Sequence, residues 1–128
     1  SARMKSSVLS DDVIRARLSQ ELPHWALKNG ALERIYKTNG WKSTLMVVNA
    51  IGHLAEAAWH HPDLHASYPA VTVRLNTHDA GGITEKDFAL ATQIEKMIMW
   101  QPAREGSVLE GTPRDPQHAY ILDQNDAG

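Results

Sequence analysis

The sequence predicts an α+β sandwich, in which a four-stranded antiparallel sheet carries three helices on one face and a C-terminal extension follows. Three observations point there. The elements read in the order helix–strand–strand–helix–strand–strand–helix. An Asn29-Gly30 pair sits between the first two strands, and both residue types tolerate the positive φ of a tight hairpin. From Val71 to His78 apolar and polar residues alternate cleanly, the signature of a half-buried strand. At 128 residues the chain is one domain, long enough to bury roughly 70% of the surface its unfolded form exposes.

Each element has a local reason. The first helix spans about Ser10 to Leu22: Ser10 or Asp11 caps it, Asp12 suits the positive end of the macrodipole, and Pro23 ends it. Strands come next at His24–Lys28 and Leu32–Thr38. After Asn39-Gly40 a second helix runs from Trp41 or Ser43 to Ala58. Its inward stripe is expected at Leu45, Val48, Gly52, Ala55 and Trp59, with Trp41 and Ile51 beside it. A short extended piece, His65–Tyr68, precedes the strand Val71–His78, where parity puts Val71, Val73 and Leu75 on one side and Thr72, Arg74, Asn76 and His78 on the other. Gly81-Gly82 turns into the last helix, Thr84 to about Trp100, which opens on a variant capping box with Asp87 in place of the usual Glu.

The domain is read as residues 1–100, its core about 10–100. Residues 101–128 form a partly irregular extension rich in Pro and Gly, pinned to the body through Tyr120, Ile121 and Leu122. The opening Ser1-Ala2-Arg3-Met4 reads as an expression remnant. A small sheet with one uncovered face and open edges calls for protection, so self-association is expected.

Bulk numbers narrow the function. Lys+Arg 13 against Asp+Glu 15 gives a net charge of -2, which makes no electrostatic case for nucleic acid or an acidic membrane. Cysteine is absent, so disulfides, thiolate zinc sites and a Cys nucleophile are excluded. No apolar run approaches the roughly 18 residues needed to span a bilayer, and no signal peptide is visible, so a cytoplasmic protein is expected.

Chemistry concentrates between Glu56 and Asp87. His60-His61-Pro62 is held extended by the proline, and histidine is the side chain whose ordinary pKa lets it exchange protons near neutrality. Glu56 precedes this run by four residues and would share a helix face with His60. His78 ends a strand, and Asp87 lies in the first turn of the last helix. Taken singly, each has a bland explanation: a polar helix end, a solvated strand end, a cap. A metal site built from His60, His61, His65 and Glu56 is disfavoured, because Pro62 breaks the helical face that His61 and His65 would need. Ser67 lacks the Gly-x-Ser-x-Gly elbow of a nucleophile.

Taken jointly, Glu56-Ala57-Ala58-Trp59-His60-His61-Pro62, then Tyr68, Thr77-His78, Gly82 and Asp87 resemble the signature of the pterin-4a-carbinolamine dehydratases. The offsets agree from Glu56 to Asp87 without a gap, and the likeness extends more loosely from Trp25 to Trp100. The resemblance implies a four-stranded antiparallel sheet with helices on one side, assembled as homodimers or homotetramers. It implies a hydro-lyase that removes water from 4a-hydroxytetrahydrobiopterin to give quinonoid dihydropterin, in tetrahydrobiopterin recycling, with neither metal nor organic cofactor. His60, His61 and His78 would line the pocket. His61 and His78 would move protons at the 4a-hydroxyl and N5, and His60 would bind or take the complementary step. Glu56 would orient an imidazole or hold the pterin ring, and Asp87 would fix His78 while capping its helix. Backbone groups of Asn76 and Thr77 would bind the pterin. Trp25 joins the substrate-binding candidates, with core packing as its alternative.

Three departures bear on substrate affinity more than on proton chemistry. Trp59 stands where many members carry an acidic residue, Leu64 where an aromatic is common, and Asn76 where a small hydroxyl residue is usual. The alternative function is a non-catalytic binding protein on the same fold, a transcription-factor dimerisation partner or a Rubisco assembly factor. Such relatives tend to lose the histidine set, whereas this chain keeps it.

Overall fold

A computed structural model describes residues 7–122, so Ser1–Met4 and the end of the extension lie outside the described residues. Helix α1 spans Asp11–Glu21, and the Ser10 hydroxyl at its N-cap accepts from the Val13 N–H at 3.3 Å. Strands β1 (Ala26–Lys28) and β2 (Ala31–Lys37) come next, joined by Asn29 and Gly30 with φ of 48° and 77°. Two successive positive φ values are what a hairpin turn of matching twist requires. Helix α2 covers Trp41–Ala58, β3 Asp63–Ser67, β4 Ala70–Leu75 and helix α3 Glu85–Ile98. The strands form one sheet in the order β1-β2-β4-β3, and all neighbours are antiparallel.

One sheet face is buried. Leu32, Arg34 and Tyr36 of β2 and Val71, Val73 and Leu75 of β4 point inward, against Ile14 and Leu18 of α1, Val47 and Ile51 of α2, and Phe88, Ala91 and Ile94 of α3. The opposite face carries Glu33, Ile35, Thr72 and Arg74, half-buried or exposed, with Arg74 paired to Glu33 at 2.6 Å. The α+β sandwich expected from element order is the observed architecture.

Three details differ from expectation. The inward stripe of α2 is Thr44, Val47, Ile51 and Ala55 with Ser43, whereas Leu45 and Met46 are exposed. Apolar residues surround this helix, so hydrophobicity alone fixes its phase poorly. Hydrogen bonds settle it: the Thr44 hydroxyl meets that of Thr38 at 2.8 Å and donates to the Tyr68 carbonyl at 3.1 Å. Strand β3 begins two residues before His65, at Asp63. Strand β4 stops at Leu75, short of His78, because Thr77 is claimed by a turn: its N–H donates to the Gly82 carbonyl at 2.8 Å, and its own carbonyl accepts from Ala80 and Gly81. His78 therefore opens a short 3₁₀ turn, His78–Ala80, instead of ending a strand.

Inside the sandwich lies a polar knot centred on Glu95 of α3. Its carboxylate accepts from the Tyr36 hydroxyl at 2.6 Å, the Trp25 indole at 3.0 Å and the Arg34 guanidinium at 3.0 Å. Burial alone would push the Glu95 carboxyl up, but the hydrogen bonds from Arg34 and Tyr36 outweigh it and hold the group below the usual carboxylate range. Burial, then the adjacent carboxylate, pushes the Tyr36 phenol well above its ordinary value.

Beyond α3 the chain makes a 3₁₀ turn at Pro102–Glu105 and is then largely irregular. It returns to the end of β2, where the Asn39 N–H donates to the Tyr120 carbonyl at 3.2 Å and the Leu122 N–H to the Lys37 carbonyl at 2.9 Å. Among the described residues, no helix is long and apolar enough to cross a membrane.

Candidate active site

Three segments meet at the N-terminus of α3. The first is the end of α2. The Trp59 N–H donates to the Glu56 carbonyl and the His60 N–H to the Ala55 carbonyl, at 3.2 and 3.1 Å, which together form a Schellman motif. That motif needs a left-handed residue, and Trp59 supplies it with φ 51° and ψ 46°. A side chain in this conformation costs about 1–2 kcal/mol, which is why glycine usually fills the position. The reversal carries the chain away from the helix axis, and Pro62 holds His61 out of the helical region. His60 and His61 consequently face different partners.

His60 turns inward. Its Nε2 lies 2.6 Å from Oδ1 of Asp87, which is fully buried. The other carboxylate oxygen, Oδ2, accepts from the Thr77 hydroxyl at 2.8 Å and from the Thr84 N–H at 2.9 Å. Thr84 and Thr77 are joined hydroxyl to hydroxyl at 2.8 Å, and the Lys86 N–H donates to the Thr84 oxygen. Thr77 gives its only proton to Asp87, so the Thr84 proton must point to Thr77. With Oδ2 taken by two donors, an ionised Asp87 accepts at Oδ1 from a His60 that carries its proton on Nε2, the arrangement that leaves Nδ1 for other chemistry.

His61 turns outward. Its Nε2 lies 2.7 Å from Oε1 of Glu56, both side chains are largely exposed, and the ring stands edge-on to the Trp59 indole with centroids 5.0 Å apart. His78 is exposed and sits in the turn that the Thr77 hydroxyl ties to Asp87. The turn bearing His78 and the helix end bearing His60 and His61 thus converge on one carboxylate. Gly82 closes this turn where a Cβ would come within 2.9 Å of Val8. Next to His60, a groove of about 420 Å³ opens between α2 and α3, lined by Leu54, Trp59, His60, Lys86 and Leu90 among others. That volume is in the usual range for a small-molecule site.

Several expected roles change. Asp87 holds His60, not His78, because the strand that was to deliver His78 ends early; its capping role is as expected, with both halves of the box present. Glu56 partners His61 instead of His60, since the left-handed turn at Trp59 breaks the helical spacing. Thr77 has no backbone group to spare for a ligand: both its N–H and its C=O are used within the turn, and its contribution runs through the hydroxyl. Trp25 is 3% exposed, its indole fixed on Glu95 about 12 Å further along α3 than Asp87, so it is a core residue and not part of this site. Asn76 lies half-buried just past the end of β4. Sequence reasoning missed two participants. Thr84 was legible only as a cap, and Trp59, placed on the inward stripe of α2 and noted as a departure from the family pattern, was not legible as a turn residue because tryptophan gives no signal for a left-handed turn.

A half-buried His–Asp pair stands beside a more exposed His–Glu pair at one corner of an α+β sandwich. Residues 7–97 match the profile of the family described as pterin 4 alpha carbinolamine dehydratase. Relatives provisionally named pterin-4-alpha-carbinolamine dehydratase include a protein of Aquifex aeolicus, 44% identical over 90 residues (70% of this chain, 90% of the relative), and one of Chloroflexus aurantiacus, 42% identical over 90 residues (70% and 96%). A crystal structure of a transcriptional coactivator/pterin dehydratase from Brucella melitensis shares the fold, with a TM-score of 0.65 at 24% identity over 71% of this chain and 98% of that one. The chain belongs to the pterin-4a-carbinolamine dehydratase family.

Proposed function

We propose that the corner built by His60, His61 and His78 dehydrates 4a-hydroxytetrahydrobiopterin to quinonoid dihydropterin, returning the pterin to the tetrahydrobiopterin cycle. The observation that carries this reading is the 2.6 Å contact between His60 and the buried Asp87. A carboxylate on Nε2 fixes the tautomer and orientation of the ring, leaving Nδ1 as a directed proton acceptor. The reaction needs one acceptor and one donor. The acceptor takes the N5 proton, the freed electron pair forms the N5=C4a bond, and the C4a–O bond breaks as the leaving hydroxyl receives a proton and departs as water. His60 is assigned to N5. His61, braced by Glu56, and His78, on the adjoining turn, are assigned to the 4a-hydroxyl, with solvent access for proton return. Each such positioned group contributes about 10²–10⁴-fold.

Asn76 remains a candidate for binding the pterin. Self-association is also proposed: Trp41, Leu45 and Met46 leave an apolar face of α2 exposed, and light scattering after gel filtration should give a dimer or tetramer. A non-catalytic role on the same fold is disfavoured by the complete set of three histidines and their two carboxylates.

The test is the dehydration of chemically generated 4a-hydroxytetrahydropterin, monitored by ultraviolet absorbance. The protein should accelerate it, equally with and without a chelator. A rate equal to the uncatalysed one would reject the enzymatic reading, and a rate abolished by chelator would reject the metal-free mechanism.

A further inference from the structure

We infer that Trp59 is a substrate-contacting residue, the aromatic wall on which the flat heterocycle stacks. This inference rests on the pterin reading above. Three observations lead to it. The first is backbone conformation: Trp59 occupies the left-handed position of a Schellman motif, where glycine would give the same reversal without steric penalty. The turn is needed to aim His60 and His61, but the indole is not needed to make the turn. Exposure is the second. The side chain is 73% exposed, so the packing that could offset a strained backbone is small. Position is the third: the indole stands edge-on to His61 and lines, together with His60, the groove between α2 and α3.

Strain kept at an exposed aromatic is the pattern of a residue retained for binding. A bicyclic pterin presents a planar π face, and stacking on an indole contributes affinity without needing a matched hydrogen bond, as base–aromatic stacking does. With its edge against the imidazole, the indole also limits where the His61 ring can swing. Trp59 thus sets the plane of the ring, while the imidazoles act at its rim.

The test compares Trp59→Gly and Trp59→Phe with the wild-type protein in three readouts: the melting temperature, KM and kcat for 4a-hydroxytetrahydropterin dehydration, and Kd for oxidised biopterin by calorimetry. Trp59→Gly should melt no lower than wild type, while KM and Kd rise about 10-fold or more and kcat changes less than about 3-fold. Trp59→Phe should recover most of the affinity. KM and Kd within twofold of wild type in Trp59→Gly would overturn the inference, as would a fall in kcat with KM unchanged, which would make Trp59 a positioning residue for His61. A lower melting temperature in Trp59→Gly alongside weaker binding would also overturn it, by making the indole structural. If wild-type protein neither binds biopterin nor speeds dehydration, the pterin reading fails and takes this inference with it, whereas an active wild type with an unaffected Trp59→Gly removes the inference alone.

Discussion

Among the hydrogen-bonded carboxylates of helix α3, Asp87 and Glu95 lie eight residues apart and differ in the partners they hold. Glu95 is met by a guanidinium, a phenol and an indole, none of which exchanges a proton near neutral pH. Those partners saturate it and lock α3 onto β2 and the segment before β1. Asp87 is met by the Thr84 N–H of its own capping turn, by the Thr77 hydroxyl of the preceding turn and by one imidazole. The imidazole has a second nitrogen and sits beside a groove. Asp87 is the more deeply buried of the two, yet it is the partner's ability to pass a proton onward that separates a core clamp from the carboxylate assigned to the site.

Breaking the contacts of each carboxylate should therefore separate activity from stability. The largest effect is expected from His60→Ala, which should lower turnover about 10²-fold or more with a small change in melting temperature; turnover within threefold of wild type would remove His60 from the chemistry. Glu95→Ala should do the reverse. It removes the carboxylate partner of the buried Arg34 and should cost about 3 kcal/mol of stability in urea unfolding, while turnover per folded molecule stays within about twofold. Glu56→Gln should sit lower on the scale, reducing turnover about 10-fold without destabilising, since the Glu56–His61 pair is exposed and orients without clamping.

The smallest effects are in pH dependence, and they belong to the Glu95 knot. Glu95 titrates below its ordinary value of 4.5 in the folded chain, so its stabilisation is complete above that value and is lost as pH falls through the lower, folded one. Tyr36 is shifted upward from 10.0, so stability is full below that value and declines as pH rises past it, because only the unfolded chain can ionise the phenol readily. Thermal melts from about pH 3 to about pH 11 should give a plateau flanked by these two slopes. In Glu95→Ala the acid slope should flatten; an unchanged acid limb would assign it to other carboxylates.

Much of the fold was legible because local signals agreed with one another. Ser10 as a cap, Asn29-Gly30 as a turn, the alternation from Val71 and the Thr84–Asp87 box each named an element from its own chemistry. The nearness of the site residues was legible too: Glu56, His60 and His61 lie at the end of α2, His78 in the 77–82 turn and Asp87 in the first turn of α3, and the three segments meet at Asp87. Their pairing was not legible. It depends on a left-handed Trp59, which no propensity announces, and on β4 ending at Leu75 because Thr77 prefers a turn. The inward phase of α2 failed for a related reason: buried Thr44 is hydrogen-bonded to Thr38, just past β2, and to Tyr68, just past β3, tertiary partners that helical periodicity does not announce. Trp25 was misplaced because a tryptophan just before a strand looks the same whether its indole meets a ligand or Glu95.

Everything proposed for the site turns on whether the Nδ1 face of His60, with Nε2 held by Asp87, meets the reacting edge of a pterin. A crystal structure of the protein with a reduced biopterin bound tests this most directly. His60 Nδ1 should lie within about 3 Å of pterin N5, with the His60–Asp87 bond intact and the rings of His61 and His78 on the C4a side. A pterin bound with N5 beyond hydrogen-bond reach of His60, or lodged away from the α2–α3 corner, would contradict it.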